Sequence, residues 1–211
     1  MSLLHTEPFG QGPDLVLTHG WGLHGGIWQP VIDALQDRYR LTVIDLPGHG
    51  RSGTLAGPFG LEEYAESVLA AMDANGVDKS HYLGTHTGAA GGLLLAARYG
   101  HRFHSLALES TPVPGVDIPS LNAAFNRARD TAGSDGVEAA RIAWFQHEPW
   151  FDVIRQNPER CRADAHWAMI AEFSGQPWLD SNPPRPVAPI LEPVRLKVGE
   201  IIVFRYLPAT L

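Results

Sequence analysis

The residues best placed to do chemistry are Gly84-Thr85-His86-Thr87-Gly88. They lie between an apolar run, His81-Tyr82-Leu83, and a stretch rich in small residues, Gly88 to Tyr99. A sharp strand-to-helix turn at this place would lift its middle residue above the sheet. Small residues two before and two after it, here Gly84 and Gly88, are needed because strand and helix nearly touch. The helix start favours negative charge developing nearby. The middle residue is His86, whose imidazole titrates near neutrality and can attack an activated carbonyl or take a proton from water.

Strands alternating with helices must position that turn. Leu15-Val16-Leu17, Leu41-Thr42-Val43-Ile44, His81-Tyr82-Leu83 and Ser105-Leu106-Ala107-Leu108 read as buried strands. Ile27 to Arg38, Leu61 to Met72 and Gly88 to Tyr99 read as helices. The alternation predicts a mostly parallel sheet covered on both faces. From Leu121 to about Phe173 the pattern is helical and heavy in aromatics, closed by Pro183-Pro184-Arg185-Pro186. Residues 1–113 and 184–211 are therefore expected to form the core, and 114–183 a helical cap within one domain. Val194 to Val198 predicts a fifth strand. Ile201 to Tyr206 has strand composition, and Gly199-Glu200 suits a hairpin turn.

The balance of 16 basic against 23 acidic side chains gives a formal charge of −7. With no basic run, this argues against nucleic acid as a partner. Only Cys161 is present, so no intrachain disulfide forms; a reducing, cytoplasmic setting is expected. The first residues lack a basic, then apolar, leader pattern, and no 18-residue apolar run predicts a membrane span. A small-molecule ligand or substrate is the expected partner. Histidines are frequent, but no close H-x-x-x-H or C-x-x-C cluster predicts a metal site, and no cofactor is expected.

At these residues the chain resembles the α/β-hydrolase fold family, in its capped, carboxylesterase-like group. His19-Gly20-Trp21-Gly22 is similar to the family's oxyanion loop, and Asp45-Leu46-Pro47-Gly48-His49-Gly50-Arg51-Ser52 to its D-x-P-G-x-G-x-S segment. Gly84 to Gly88 stands where the G-x-S-x-G elbow belongs, and Pro193 to Glu200 resembles the strand leading to the catalytic acid. The opening residues to Trp28 are particularly similar to carboxylesterases that cleave acyl-carrier methyl esters. The resemblance implies an α/β-hydrolase fold and an oxyanion hole built from the backbone N–H groups of Trp21 and Thr87. Three departures accompany it. His86 replaces the nucleophilic serine; Ile202 stands where the acid is expected; and the last strand, with its histidine-bearing loop, would lie beyond Leu211. The C-terminal edge of the sheet is thus expected to be incomplete, covered by the tail or by a second copy of the chain.

The ordinary Ser-His-Asp triad is accordingly absent, while the oxyanion amides need no particular side chain and survive. Glu109, after the fourth strand, matches a place where some family members carry their acid. It is the candidate partner of His86; the plainer alternative is a solvated loop carboxylate. Trp21 is expected to pack in the wall in either case, Asp45 to order its own loop, and His19 and His49 to shape loops. His147, His166, Trp150, Trp167 and Trp178 either line a pocket or pack cap on core. Arg127, Arg129 and Arg141 are expected on a solvated face. Three functional readings remain open: a hydrolase of a small ester, lactone or thioester using His86; an inactive, pseudoenzyme-like relative that binds a ligand or acts as a scaffold; and a truncated gene product.

Overall fold

The computed structural model describes residues 4–56 and 59–180, and the backbone of 201–204. Its sheet is built from β1 (Thr6–Phe9), β2 (Asp14–Thr18), β3 (Arg40–Ile44), β4 (Ser80–Thr85), β5 (Phe103–Glu109) and β6 (Ile201–Phe204). The spatial order is β1-β3-β2-β4-β5-β6. Every pairing is parallel except β1 on β3. The chain therefore folds as an α/β protein with a mostly parallel sheet.

Strand β1 was not expected from the sequence. Thr6-Glu7-Pro8-Phe9 is short and interrupted by proline, which an edge strand tolerates because one side of it carries no ladder. The helix expected over Ile27–Arg38 is split. A 3₁₀ turn, Gly25–Trp28, leads into α1 (Gln29–Leu35), with Pro30 in the first turn, where its missing N–H costs nothing. Helices α2 (Leu61–Ala74) and α3 (Thr87–Tyr99) lie close to their expected bounds.

Alternation along β2 sends successive side chains to opposite faces. Val16 packs with Tyr64, Val68, Met72, Leu94 and Leu95 beneath α2 and α3. Leu15 and Leu17 pack with Trp28, Ile32, Leu41 and Val43 beneath α1. A third core belongs to α4 (Pro119–Ser134), α5 (Val137–His147), α6 (Asp152–Gln156), α7 (Ala163–Glu172) and α8 (Gln176–Asp180). On α4, Ala124, Ala128 and Ala132 recur every fourth residue and are buried, which lets α5 approach closely. Trp144, Trp150, Phe151, Phe173 and Trp178 fill the remaining space.

The arginine expectation needs correction at Arg141 alone, which is partly buried; Arg127 is 60% exposed, on a solvated face as expected, and from there reaches a buried acid. Arg127 donates to both oxygens of the buried Glu148 at 2.8 and 2.9 Å, and Arg141 donates to the Phe173 carbonyl at 2.6 Å. A carboxylate and a carbonyl sheltered by aromatic packing need donors, and these guanidinium groups supply them. Arg129 is paired with Asp130 near the surface, as expected of a solvated face. The Ser174 hydroxyl donates to the Gly48 carbonyl at 2.6 Å, fixing the link between α7 and α8 to a loop of the sheet.

The strand and hairpin expected at Val194–Glu200 lie outside the described residues. Ile201–Phe204 runs parallel beside β5, with Leu106 opposite Ile201 and Glu109 opposite Phe204. Ile202 is thus mid-strand, opposite Ala107. No helix among the described residues is long and apolar enough to cross a membrane. Deleting residues 201–211 should bare the hydrogen-bonding edge of β5, lowering soluble yield and the thermal midpoint by several degrees, on the order of 1–2 kcal/mol. Deleting 205–211 alone should change neither. Equal melting of the two deletion variants would show that β6 contributes nothing.

Candidate active site

The turn after β4 is as tight as its residues suggested. His86 has φ 47° and ψ −113°, a left-handed backbone that a non-glycine residue adopts only where its surroundings enforce it. The enforcement is visible. The His86 N–H donates to the Glu109 carbonyl at 3.0 Å, and the Gly88 N–H to the His19 carbonyl at 3.1 Å. These two bonds tie the ends of β4, β5 and β2 together. A Cβ on Gly84 would lie 2.7 Å from the Ala89 nitrogen, and one on Gly88 would lie 2.6 Å from the Thr18 carbonyl oxygen. Both glycines are therefore steric requirements of the turn. A Cβ on Gly20 would meet the His86 Cβ at 3.0 Å, so the loop after β2 also needs its glycine. Beneath the turn, the Tyr82 hydroxyl donates to the Gly88 carbonyl at 2.8 Å and is 2.7 Å from the Thr18 hydroxyl.

His86 faces a cavity of about 460 Å³. Trp21, Phe125, Trp144, Trp150 and Phe151 form much of its apolar wall, and Thr85, Thr87, Glu109 and His166 supply polar groups. The Trp21 indole does what packing required of it, lying edge-on to Phe125 at 4.8 Å and stacked near Tyr64 at 6.0 Å. Thr87 opens α3, so its N–H has no acceptor within the helix. Neither it nor the Trp21 N–H donates to another group among the described residues.

Burial pushes the His86 imidazole below its ordinary value, and the nearby charge of Glu109 pulls part of that back. The ring is therefore neutral at neutral pH. Glu109, the last residue of β5, lines the cavity. Its carboxylate accepts from the Thr85 hydroxyl on one oxygen and from the Ser110 hydroxyl on the other. Among the described residues it is not hydrogen-bonded to the His86 ring. In the sequence motif Thr85 is only a spacer and Ser110 lies outside it; nothing local in either residue signals a partner on a neighbouring strand.

Other residues sort clearly. The Asp45 oxygens accept from the Gly25 and Arg51 N–H groups at 2.7 and 3.0 Å, ordering the loop. His19 Nε2 accepts from the Leu46 N–H at 2.8 Å, so its proton sits on Nδ1, 2.8 Å from the Gly20 carbonyl. His49 Nδ1 lies 2.9 Å from the Pro47 carbonyl and the ring packs on Phe173 at 4.4 Å. Both histidines shape loops. Of the cap residues, Trp150 and His166 line the cavity. Trp167 packs on Phe145, Trp178 packs on Trp144 and Phe173, and His147 is exposed.

Burial depresses His19 to about 4 and lowers His49 in the same direction. An unfolded histidine titrates near 6.5, so between these values the unfolded chain binds more protons than the folded one. Stability is full above about pH 6.5 and is lost as pH falls toward 4. For His19 alone that loss is roughly 3 kcal/mol. Urea midpoints measured from pH 8 to pH 4.5 should be flat above 7 and fall steadily below 6.5. A flat acid limb would mean that these rings are already protonated in the fold.

Comparison with known proteins agrees with this geometry. A model of the alpha/beta hydrolase fold matches residues 13–187. A pimeloyl-[acyl-carrier protein] methyl ester esterase of Aeromonas hydrophila is 34% identical over 221 residues, covering 88% of this chain and 84% of that protein. The esterase of the same name from Methylococcus capsulatus is 48% identical over 86 residues, which span 41% of this chain and 32% of its own length. The crystal structure of an enol-lactonase from Burkholderia xenovorans LB400 shares the fold with a TM-score of 0.74 at 21% identity, over 96% of this chain and 87% of that one. The chain belongs to the α/β-hydrolase fold family.

Proposed function

We propose that the chain is a cytoplasmic hydrolase of a small carboxylic ester, lactone or thioester, with His86 as the reacting side chain and the Trp21 and Thr87 amides as its oxyanion hole. One observation carries this reading: His86 is held on a left-handed turn over an apolar cavity that Trp21 and Thr87 also line, and the N–H groups of those two residues have no acceptor among the described residues. Such donors, aimed at developing negative charge, are commonly the largest contribution to acyl-transfer catalysis. Helices α4 to α8 serve as a cap that keeps water from the cavity. The Aeromonas hydrophila relative is named for a methyl ester on an acyl chain; the aromatic wall suits an acyl chain, so methyl esters of medium length are the first substrates to try. Among the described residues β6 is the last strand of the sheet, and its outer edge is the place for pairing with a second copy.

The neutral imidazole attacks the carbonyl carbon, and the carbonyl π electrons move to oxygen, where the two amides receive them. Collapse of this adduct expels the alcohol oxygen, which takes the proton released by the imidazolium. The acyl-imidazole left behind is cleaved by water, giving the acid and free His86. Alternatively the ring takes a proton from water as water attacks. In both routes the charge of Glu109 favours the positive ring formed on the way.

A second reading has its own support. The Glu109 carboxylate is engaged by Thr85 and Ser110, and among the described residues no hydrogen bond orients the His86 ring, as an inert elbow over a ligand-binding pocket would also show. Hydrolysis of short- and medium-chain nitrophenyl and methyl esters by the protein and by His86→Ala separates the two. Catalysis by His86 predicts a loss of about 100-fold in the variant. It also predicts a rate that is flat above pH 6.5 and falls in acid, because protonation removes the reactive lone pair. Equal background rates would leave a binding protein, to be screened for ligands by thermal shift. His86→Ser should stay near background. A large gain there would reveal a base in the cavity, and His166 is the other imidazole lining it.

A further inference from the structure

Three non-glycine residues among those described have positive φ: His86, Ser110 and Arg162. Two of the three flank one carboxylate. Thr85 and Glu109 are cross-strand partners at the ends of β4 and β5. Parallel neighbours in register present their side chains to the same face, so the Thr85 hydroxyl reaches the Glu109 carboxylate directly. Ser110 follows Glu109 and in a regular strand would point to the opposite face. Its φ of 51° turns the backbone out of the strand and brings its hydroxyl back onto the other carboxylate oxygen. Backbone strain of this kind is held where the surroundings use it.

We propose that Thr85 and Ser110 are positioning residues whose hydroxyls pin the Glu109 carboxylate beside the elbow, so that it acts on the His86 imidazole by charge and not by a hydrogen bond. This rests on the reading of His86 as the reactive group, yet it is measured without turnover. A carboxylate bonded directly to the ring would raise its basicity and hold it protonated. A pinned carboxylate leaves the resting ring neutral and still stabilises positive charge as it forms. The other titratable groups around His86 are His166, from α7, and His19, behind Gly20, whose ring nitrogens are engaged by backbone groups. Glu109 is the acidic group lining the cavity.

Removing the donors leaves Glu109 short of partners and free to turn toward the ring. In Thr85→Val/Ser110→Ala the His86 midpoint should therefore rise, by about one pH unit. It should fall in Glu109→Gln and stay in place in Thr85→Ser, which keeps the hydroxyl. The readout is the NMR titration of the ring Cε1 proton, identified among ten histidines by its loss in His86→Gln. If the double variant is too unstable, Ser110→Gly accepts the positive φ without strain and removes the hydroxyl together with its Cβ. An unchanged midpoint in the donor variants, an equal shift in Thr85→Ser, or no response to Glu109→Gln overturns the proposal. If these shifts appear but no ester is hydrolysed, the pinned carboxylate stands and the hydrolase reading falls.

Discussion

The structure depends on the pair of backbone bonds that clasp the elbow, from His86 to Glu109 and from Gly88 to His19. Together they join the C-terminal ends of β2, β4 and β5, and each component of the site hangs from one of those ends. The loop carrying Trp21 leaves β2, the imidazole leaves β4, and the carboxylate closes β5. A backbone clasp of this kind needs no particular side chain. It needs close approach, and Gly20, Gly84 and Gly88 allow it. The missing Cβ atoms, more than any reactive group, set the geometry of the turn.

Electrostatics beneath the site follow from burial. His19 and His49 are buried with their Nδ1 atoms at backbone carbonyls, and Tyr82 carries its hydroxyl to the Gly88 carbonyl. These groups are neutral polar struts in a region where a charge would be costly. Glu109 is the acidic group at the cavity, held by two hydroxyls, and the buried Asp45 carboxylate is held by backbone N–H groups of its loop. The elbow therefore presents a neutral imidazole to an apolar cavity, which suits a neutral ligand better than an anionic one.

Legibility in the sequence followed the range of the interactions. Strands β2 to β5 and helices α2 and α3 were readable because each buries a periodic run. The elbow was readable because its glycines fall at fixed spacing, and the loop after β2 because its glycines bracket Trp21. Strand β1 carries no run, and its pairing with β3 is decided by residues far along the chain. The same is true of Arg141 on the Phe173 carbonyl: charge alone places this arginine in solvent, whereas a sheltered acceptor far along the chain claims it. Thr85, Glu109 and Ser110 meet only because β4 and β5 are in register and Ser110 leaves the strand. No local pattern announces such a meeting.

The left-handed turn at residue 86 has an implication for how such a chain can vary. Its conformation is held from outside, by main-chain bonds and by the absence of neighbouring Cβ atoms, and the side chain at its apex takes no part in that support. Position 86 is in effect a socket. Residues that tolerate positive φ, histidine among them, can be exchanged there at the cost of a local backbone preference, while the sheet, the amides and the cavity keep their places. Scaffold and reagent are thereby separable at a single codon, and an imidazole in the socket inherits surroundings that were never specific to it.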